Sequence, residues 1–208
     1  ENVFFRAVTG RKPTTEEAEV FRGIFAACVD HTPAVPSSLA AITSFSGGVS
    51  MKTALAAGIT AMGDTHAGAG EGAAYAFQIE ASRLSGAADD EKARRLIELY
   101  TGGSGEQKRK IPGFGHRYYS LYGSDPRAKA VLDLAERNGF GGGHVAFARA
   151  VEKALQEEKS PGLCMNVDGA IGAVISEMGI PPKAGKALFI IPRSIGILGQ
   201  LLEQKAGA

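Results

Sequence analysis

The chain has 208 residues, a formal net charge of +1, two cysteines and four histidines, which suits one large domain or two small ones around a sizeable core. A near-neutral balance gives no global argument for nucleic acid or an anionic membrane as partner, and neither is expected, since such binding usually shows as a clustered excess of Lys and Arg. Two cysteines in apolar settings, Cys28 and Cys164, read as free core thiols and have no metal-ligand spacing.

No apolar run reads as long enough to span a bilayer, and the start, ENVFFRAVTGRKP, lacks the apolar core of a signal peptide. A cytoplasmic location is therefore expected. The chain begins at Glu1 without a methionine, which reads as a piece of a longer protein.

In chain order, Thr14 and Glu17 have capping-box spacing and open a helix that runs to about Val29, with Ala18, Phe21, Phe25 and Cys28 on its apolar face. His31 falls just beyond its C-terminus, where the dipole favours a protonated imidazole. Pro36 restarts a helix through about Phe45, and Ser50 starts another through about Met62, in which Ala54, Ala57, Gly58 and Ala61 read as close-packing positions. The segment 63–72, GDTHAGAGEG, reads as a flexible hinge or ligand-facing loop holding His66. It is not a phosphate loop, because no strand precedes it and no GK[ST] follows.

Helical patterning resumes from Ala73 to about Leu84, and Asp89 opens another helix with Leu96, Leu99 and Tyr100 on its apolar side and Gly102 as its stop. Lys108, Arg109 and Lys110 form a cationic run, either a solvated surface or a site for an anionic ligand. After Asp125 and Pro126 a helix runs from Ala128 to Arg137, and His144 to about Glu158 forms another, with His144 a helix-start or surface residue. Asp168 lies near the N-terminus of a small-residue helix, as an N-cap or as a base whose ionisation the dipole favours and burial opposes. Lys183 to Lys205 forms the last helix. Its Arg193 sits among isoleucines and should face a carboxylate of the protein or of a ligand. Strand signals are scarce, so the fold class is all-α.

The chemistry concentrates in Lys110 to Arg127, KIPGFGHRYYSLYGSDPR. Glycines allow positive φ and close approach of a ligand, and the two prolines restrain the backbone, so His116 is held on a tightly specified turn. From this segment alone it is either a placed acid or base or a solvated turn histidine.

Taken together, DTHAGAGE, PGFGHRYYSLYGSDPR and NVDGAIG, followed by an apolar helix with a central arginine, resemble the citrate synthase family over nearly the whole chain. NVDGAIG and RSIGILGQLLEQK are most similar to citryl-CoA lyases and the corresponding module of ATP-citrate lyase. The resemblance implies a citrate synthase-like all-α fold, with a large domain of residues 1–66 and 180–208 and a smaller, mobile CoA-binding domain of residues 67–179. It also implies a homodimer or higher homo-oligomer, in which the dimer interface contributes to the active site. Residue by residue, it implies a catalytic trio of His66, His116 and Asp168, with His31, Arg127 and Arg193 binding carboxylates. Coenzyme A would run along Lys110, Ile111, Gly113 and Gly115, with Arg117 and Asn166 nearby, and no metal is involved.

The implied activity is cleavage of citryl-CoA to acetyl-CoA and oxaloacetate through an enolate. Citrate or 2-methylcitrate synthesis is the alternative within the family, and a non-catalytic CoA-binding homologue is the rival outside it. Two departures stand out. Where the family commonly has HGGAN, this chain has His66-Ala67-Gly68-Ala69-Gly70. In addition, the family's early helices and its last segment, which supplies another substrate arginine, have no counterpart in these residues.

Overall fold

The computed structural model describes residues 2–64, 66–84, 88–102 and 109–206; Lys108 of the cationic run lies outside the described residues. Within them are ten α-helices and no strand, only isolated bridges. They are α1 (Asn2–Thr9), α2 (Thr15–Val29), α3 (Pro36–Ser46), α4 (Met51–Thr60), α5 (Ala69–Tyr75), α6 (Asp89–Thr101), α7 (Pro126–Arg137), α8 (Gly143–Glu158), α9 (Val167–Glu177) and α10 (Ala184–Ala206). The all-α expectation holds.

Helix α9 is the axis of the packing. Its residues Gly169 to Ser176 are all buried, and it touches α5, α7, α8 and α10. A helix that is apolar all round is stable only when enclosed, and VDGAIGAVISE has no polar face to offer solvent. Its small residues let neighbours approach backbone to backbone, so its first turn, which carries Asp168, lies at a junction of several elements. A second, separate cluster joins Ala41 of α3 and Ala54 of α4 to Ile197 and Leu201 of α10.

Local signals set most helix ends as expected. Thr14 and Glu17 form a reciprocal capping box on α2, Ser50 caps α4, and Asp125 caps α7 with Pro126 in the first turn. Other expectations need correction. The buried face of α2 runs through Val20, Phe21, Ile24 and Cys28, one position round from the expected stripe, because α2 packs against both α7 and α10. Leu99 is exposed and Ile97 is buried in its stead. Helix α4 stops at Thr60.

The interruption at 63–72 is shorter than expected, since Ala69 to Gly72 already belong to α5, and Ala76–Glu80 continue as a π-helix. Burial of Gly70, Ala73 and Ala74 against neighbouring helices outweighs the low helix propensity of glycine. Contrary to the expectation of no spanning run, α10 is long and apolar enough by length and composition to cross a membrane. Here its Leu188, Ile197 and Leu201 are fully buried in the protein's core clusters.

Candidate active site

Two glycines bring His116 and Asp168 together. Gly113 has φ +88°, and a Cβ built on it would stand 2.5 Å from Gly169 Cα, so the turn before His116 lies directly on the first turn of α9. Three hydrogen bonds fix this contact: Gly115 N donates to Cys164 O at 2.7 Å, Asn166 N to Gly113 O at 2.9 Å, and Asn166 Nδ2 to Gly115 O at 2.8 Å. The cap of α9 is Asn166, whose Oδ1 accepts from Gly169 N. Asp168 is therefore not the cap but a residue of the first turn.

A cleft of about 340 Å³ is lined by His31, His66, His116, Arg127, Asn166 and Asp168, together with Ala67 and Phe189. Its residues come from the loops before α3 and α5, the histidine turn, the starts of α7 and α9, and α10. Asp168 retains some surface in the cleft, but its Oδ1 is buried and has no hydrogen-bond partner. Burial pushes its pKa up to about 6, against the pull of Arg127, the Gly70 amide and Arg193. A carboxyl titrating there can hold or release a proton near neutrality.

The three imidazoles are all pushed toward the neutral form for a shared reason. Burial, joined by the charges of Arg127 and Arg193, lowers His31 to about 4. That overturns the expectation of a protonated His31, because desolvation and two guanidinium groups outweigh the end of one helix dipole. Burial also lowers His66, with Arg193 adding to it, and lowers His116, with Arg127 adding to it.

His66 Nε2 contacts Ser37 Oγ at 2.9 Å and accepts from Ser37 N at 3.4 Å. An accepting Nε2 puts the ring proton on Nδ1. His116 is held from its other side: Nδ1 accepts from Tyr118 N and Tyr119 N at 3.1 and 3.2 Å, and Ser120 Oγ accepts from His116 N. Its Nε2 lies 3.3 Å from Arg127 Nη2. The rings of His31 and Tyr119 pack beside His116, with centroids at 5.7 and 4.6 Å.

Asp125 is the residue whose role the sequence concealed. It is 1 % exposed, and Oδ1 and Oδ2 accept from Arg127 Nε at 3.1 Å and Nη2 at 2.8 Å. It also accepts from the backbone of Arg127 and of Val167. One carboxylate thus aims Arg127 and ties the start of α7 to the turn bearing Asp168. Only its place before Pro126, at a helix start, was visible in the sequence; its reach to residue 167 was not. Ser37 was likewise missed, having no feature beyond its place after Pro36.

Arg193 does not meet a carboxylate of the protein. Nε donates to Cys28 O at 2.9 Å and Nη2 to Asp30 O at 3.2 Å, while its guanidinium lies 4.8 Å from the Phe189 ring centroid. It satisfies carbonyls freed at the end of α2, and Nη1, also buried, has no partner. The close crossing is enforced at Gly196, where a Cβ would fall 1.7 Å from Val29 O.

Next to the cleft is a cavity of about 640 Å³ lined by Arg109, Lys110, Ile111, Gly115, Arg117 and Lys159 among others. Gly115, His116 and Arg117 line both spaces. Lys110, Ile111, Gly115 and Arg117 of the expected CoA run are thus on one wall, whereas Gly113 lies beneath it as a packing residue. Among the described residues no group of His, Cys, Asp and Glu is disposed to hold a metal ion.

The chain belongs to the citrate synthase family, matching the model for the citrate synthase C-terminal domain over residues 2–208. A curated relative, the citrate synthase of Saccharolobus solfataricus, is 31% identical over 207 residues, 96% of this chain and 51% of that protein. The citryl-CoA lyase of Hydrogenobacter thermophilus superposes with a TM-score of 0.83 at 35% identity, covering 98% of this chain and 75% of that one. The citrate synthase of Thermoplasma acidophilum, in ternary complex with carboxymethyl coenzyme A and oxaloacetate, gives 0.77 at 25% identity over 98% of this chain and 52% of that one. The chain thus spans about half the length of the curated citrate synthase it matches.

Proposed function

We propose that this chain supplies the active site of an acyl-CoA carbon–carbon lyase that cleaves citryl-CoA to acetyl-CoA and oxaloacetate. The observation that carries the reading is Asp168: a buried carboxyl titrating near 6 in one cleft with His66, His116 and Arg127. The greater identity and length match to a citryl-CoA lyase than to a citrate synthase favours cleavage over synthesis.

In cleavage, His116 takes the proton of the tertiary hydroxyl on Nε2, giving up the Tyr118 and Tyr119 amide contacts as Nδ1 holds the ring proton, while the C–C bond breaks and the oxaloacetate carbonyl forms. The bonding electrons pass to the acetyl-CoA enolate. Its oxygen accepts a hydrogen bond from His66 Nδ1, and Asp168 gives its proton to the enolate carbon. Synthesis runs these transfers backwards. Arg127, with a planar fork suited to bidentate contact, holds a carboxylate beside His116, with His31 on the same wall and the free Nη1 of Arg193 behind Phe189. The cationic cavity takes the phosphate-bearing end of coenzyme A, which leads its thioester past Arg117 into the cleft.

The cleft draws on residues from both sides of the boundaries at 66/67 and 179/180, which supports two domains meeting at the site. Ile191, Ile195 and Leu202 are exposed along α10, which supports a second copy there, and a cytoplasmic location fits such substrates. The test compares acetyl-CoA release from citryl-CoA with CoA release from acetyl-CoA plus oxaloacetate, using the full-length protein. Faster cleavage supports the lyase, faster condensation reassigns the chain as a synthase, and CoA binding without turnover in either direction identifies a non-catalytic homologue.

A further inference from the structure

Among the described residues, Ala67 is the one non-glycine with positive φ, at +73°. The position is tightly determined. Gly63 N donates to His66 O at 2.9 Å and His66 N to Gly63 O at 3.1 Å, and the residue that follows this pair stands in the left-handed region, where an L side chain is disfavoured and glycine is not. Gly68 has no room for a side chain, since a Cβ there would stand 2.7 Å from Gly63 O. Strain of this kind persists where the surroundings impose it and clusters at functional sites.

The alanine is also sited where its methyl matters. It follows His66 directly, is 5 % exposed, and lines the same cleft as Asp168. Three residues on, the Gly70 amide acts on the Asp168 carboxyl. The loop therefore spans the gap between the proposed enolate donor and the proposed carbon acid or base, and Ala67 and Ala69 are its side chains between them that line the cleft, Ala67 being the one next to His66.

Resting on the function proposed above, we propose that Ala67 is an acyl-size determinant: its Cβ closes the space beside the enolising carbon, admitting an acetyl group and excluding longer acyl chains. Glycine at this position would leave room for one further methylene without disturbing His66.

The experiment measures exchange of the α-protons of acetyl-CoA and propionyl-CoA into D₂O, with oxaloacetate present, for the full-length protein and for Ala67→Gly. Circular dichroism and Tm serve as the folding check. Relief of the positive φ and loss of a buried methyl oppose one another, so Tm should move by only a few degrees. The propionyl to acetyl ratio of exchange rates should rise about tenfold or more in the variant, in line with what one methylene is worth to a pocket. An unchanged ratio in a folded variant overturns the inference while leaving the function intact. If the unaltered protein exchanges neither thioester, the function on which it rests fails with it.

Discussion

The inner cleft and the outer cavity share Gly115, His116 and Arg117, yet they are held by different means. In the cleft, three of the groups that could meet a substrate are fixed by backbone donors or by a neighbouring side chain: Arg127 by Asp125, His116 by two amides, His66 by Ser37. Its groups are withdrawn from water and their ionisation is displaced. In the cavity, Arg109, Lys110, Arg117 and Lys159 are exposed cations on long side chains. The first is organised before a ligand arrives, whereas the second attracts charge and adapts to it. Substitutions should therefore be severe and specific in the cleft, mild and salt-dependent in the cavity.

The largest effect is expected for Asp168→Asn, which should lower turnover by about 10³-fold while leaving CoA binding in place. The same change should stabilise the protein. The carboxyl's folded pKa, raised to about 6, lies above its unfolded value, so its ionisation penalty is absent below pH 4 and complete above about pH 6. That penalty is on the order of 3 kcal/mol. Thermal melts at pH 7.5 should show Asp168→Asn above the parent, with the gap closing by pH 4. A variant that melts lower at pH 7.5 would refute the desolvated carboxylate.

Asp125→Ala comes next. Removing the partner of a buried ion pair leaves an uncompensated charge, at a cost of about 3–5 kcal/mol, measurable by urea titration. The pH profile follows. For cleavage, Asp168 must carry its proton, so kcat/KM should fall about tenfold per pH unit above pH 6. A flat profile to pH 9 would remove Asp168 from the proton-donor role. Smallest are Lys110→Ala and Lys159→Ala, each expected to raise the KM for acyl-CoA about threefold at low salt and less at 0.5 M salt. If either matched Asp168→Asn, the contrast between the two regions would collapse.

Much of the fold was legible because helix ends are written locally. A cap needs a donor and an acceptor three residues apart, as at Thr14 and Glu17, and a proline after Asp125 announces the first turn of α7. The motif residues were legible too, as histidines and aspartates amid glycines. Misreadings fell where neighbours distant in the chain decided the outcome. Gly70 and Gly72 suggest a loop by propensity, yet packing draws them into α5. Leu99 looks like a core residue by type, yet it faces outward.

What the sequence determined by itself was the helical class, most boundaries, and the set of groups able to move a proton or hold a carboxylate, since these depend on residue type and short-range spacing. Tertiary structure alone decided how those groups are tuned. Burial of Asp168 and His31 sums contributions from several elements, Arg193 meets carbonyls 163 and 165 residues away, and Asp125 reaches Val167 across 42. Desolvation and charge act through space, so no window of the chain contains them.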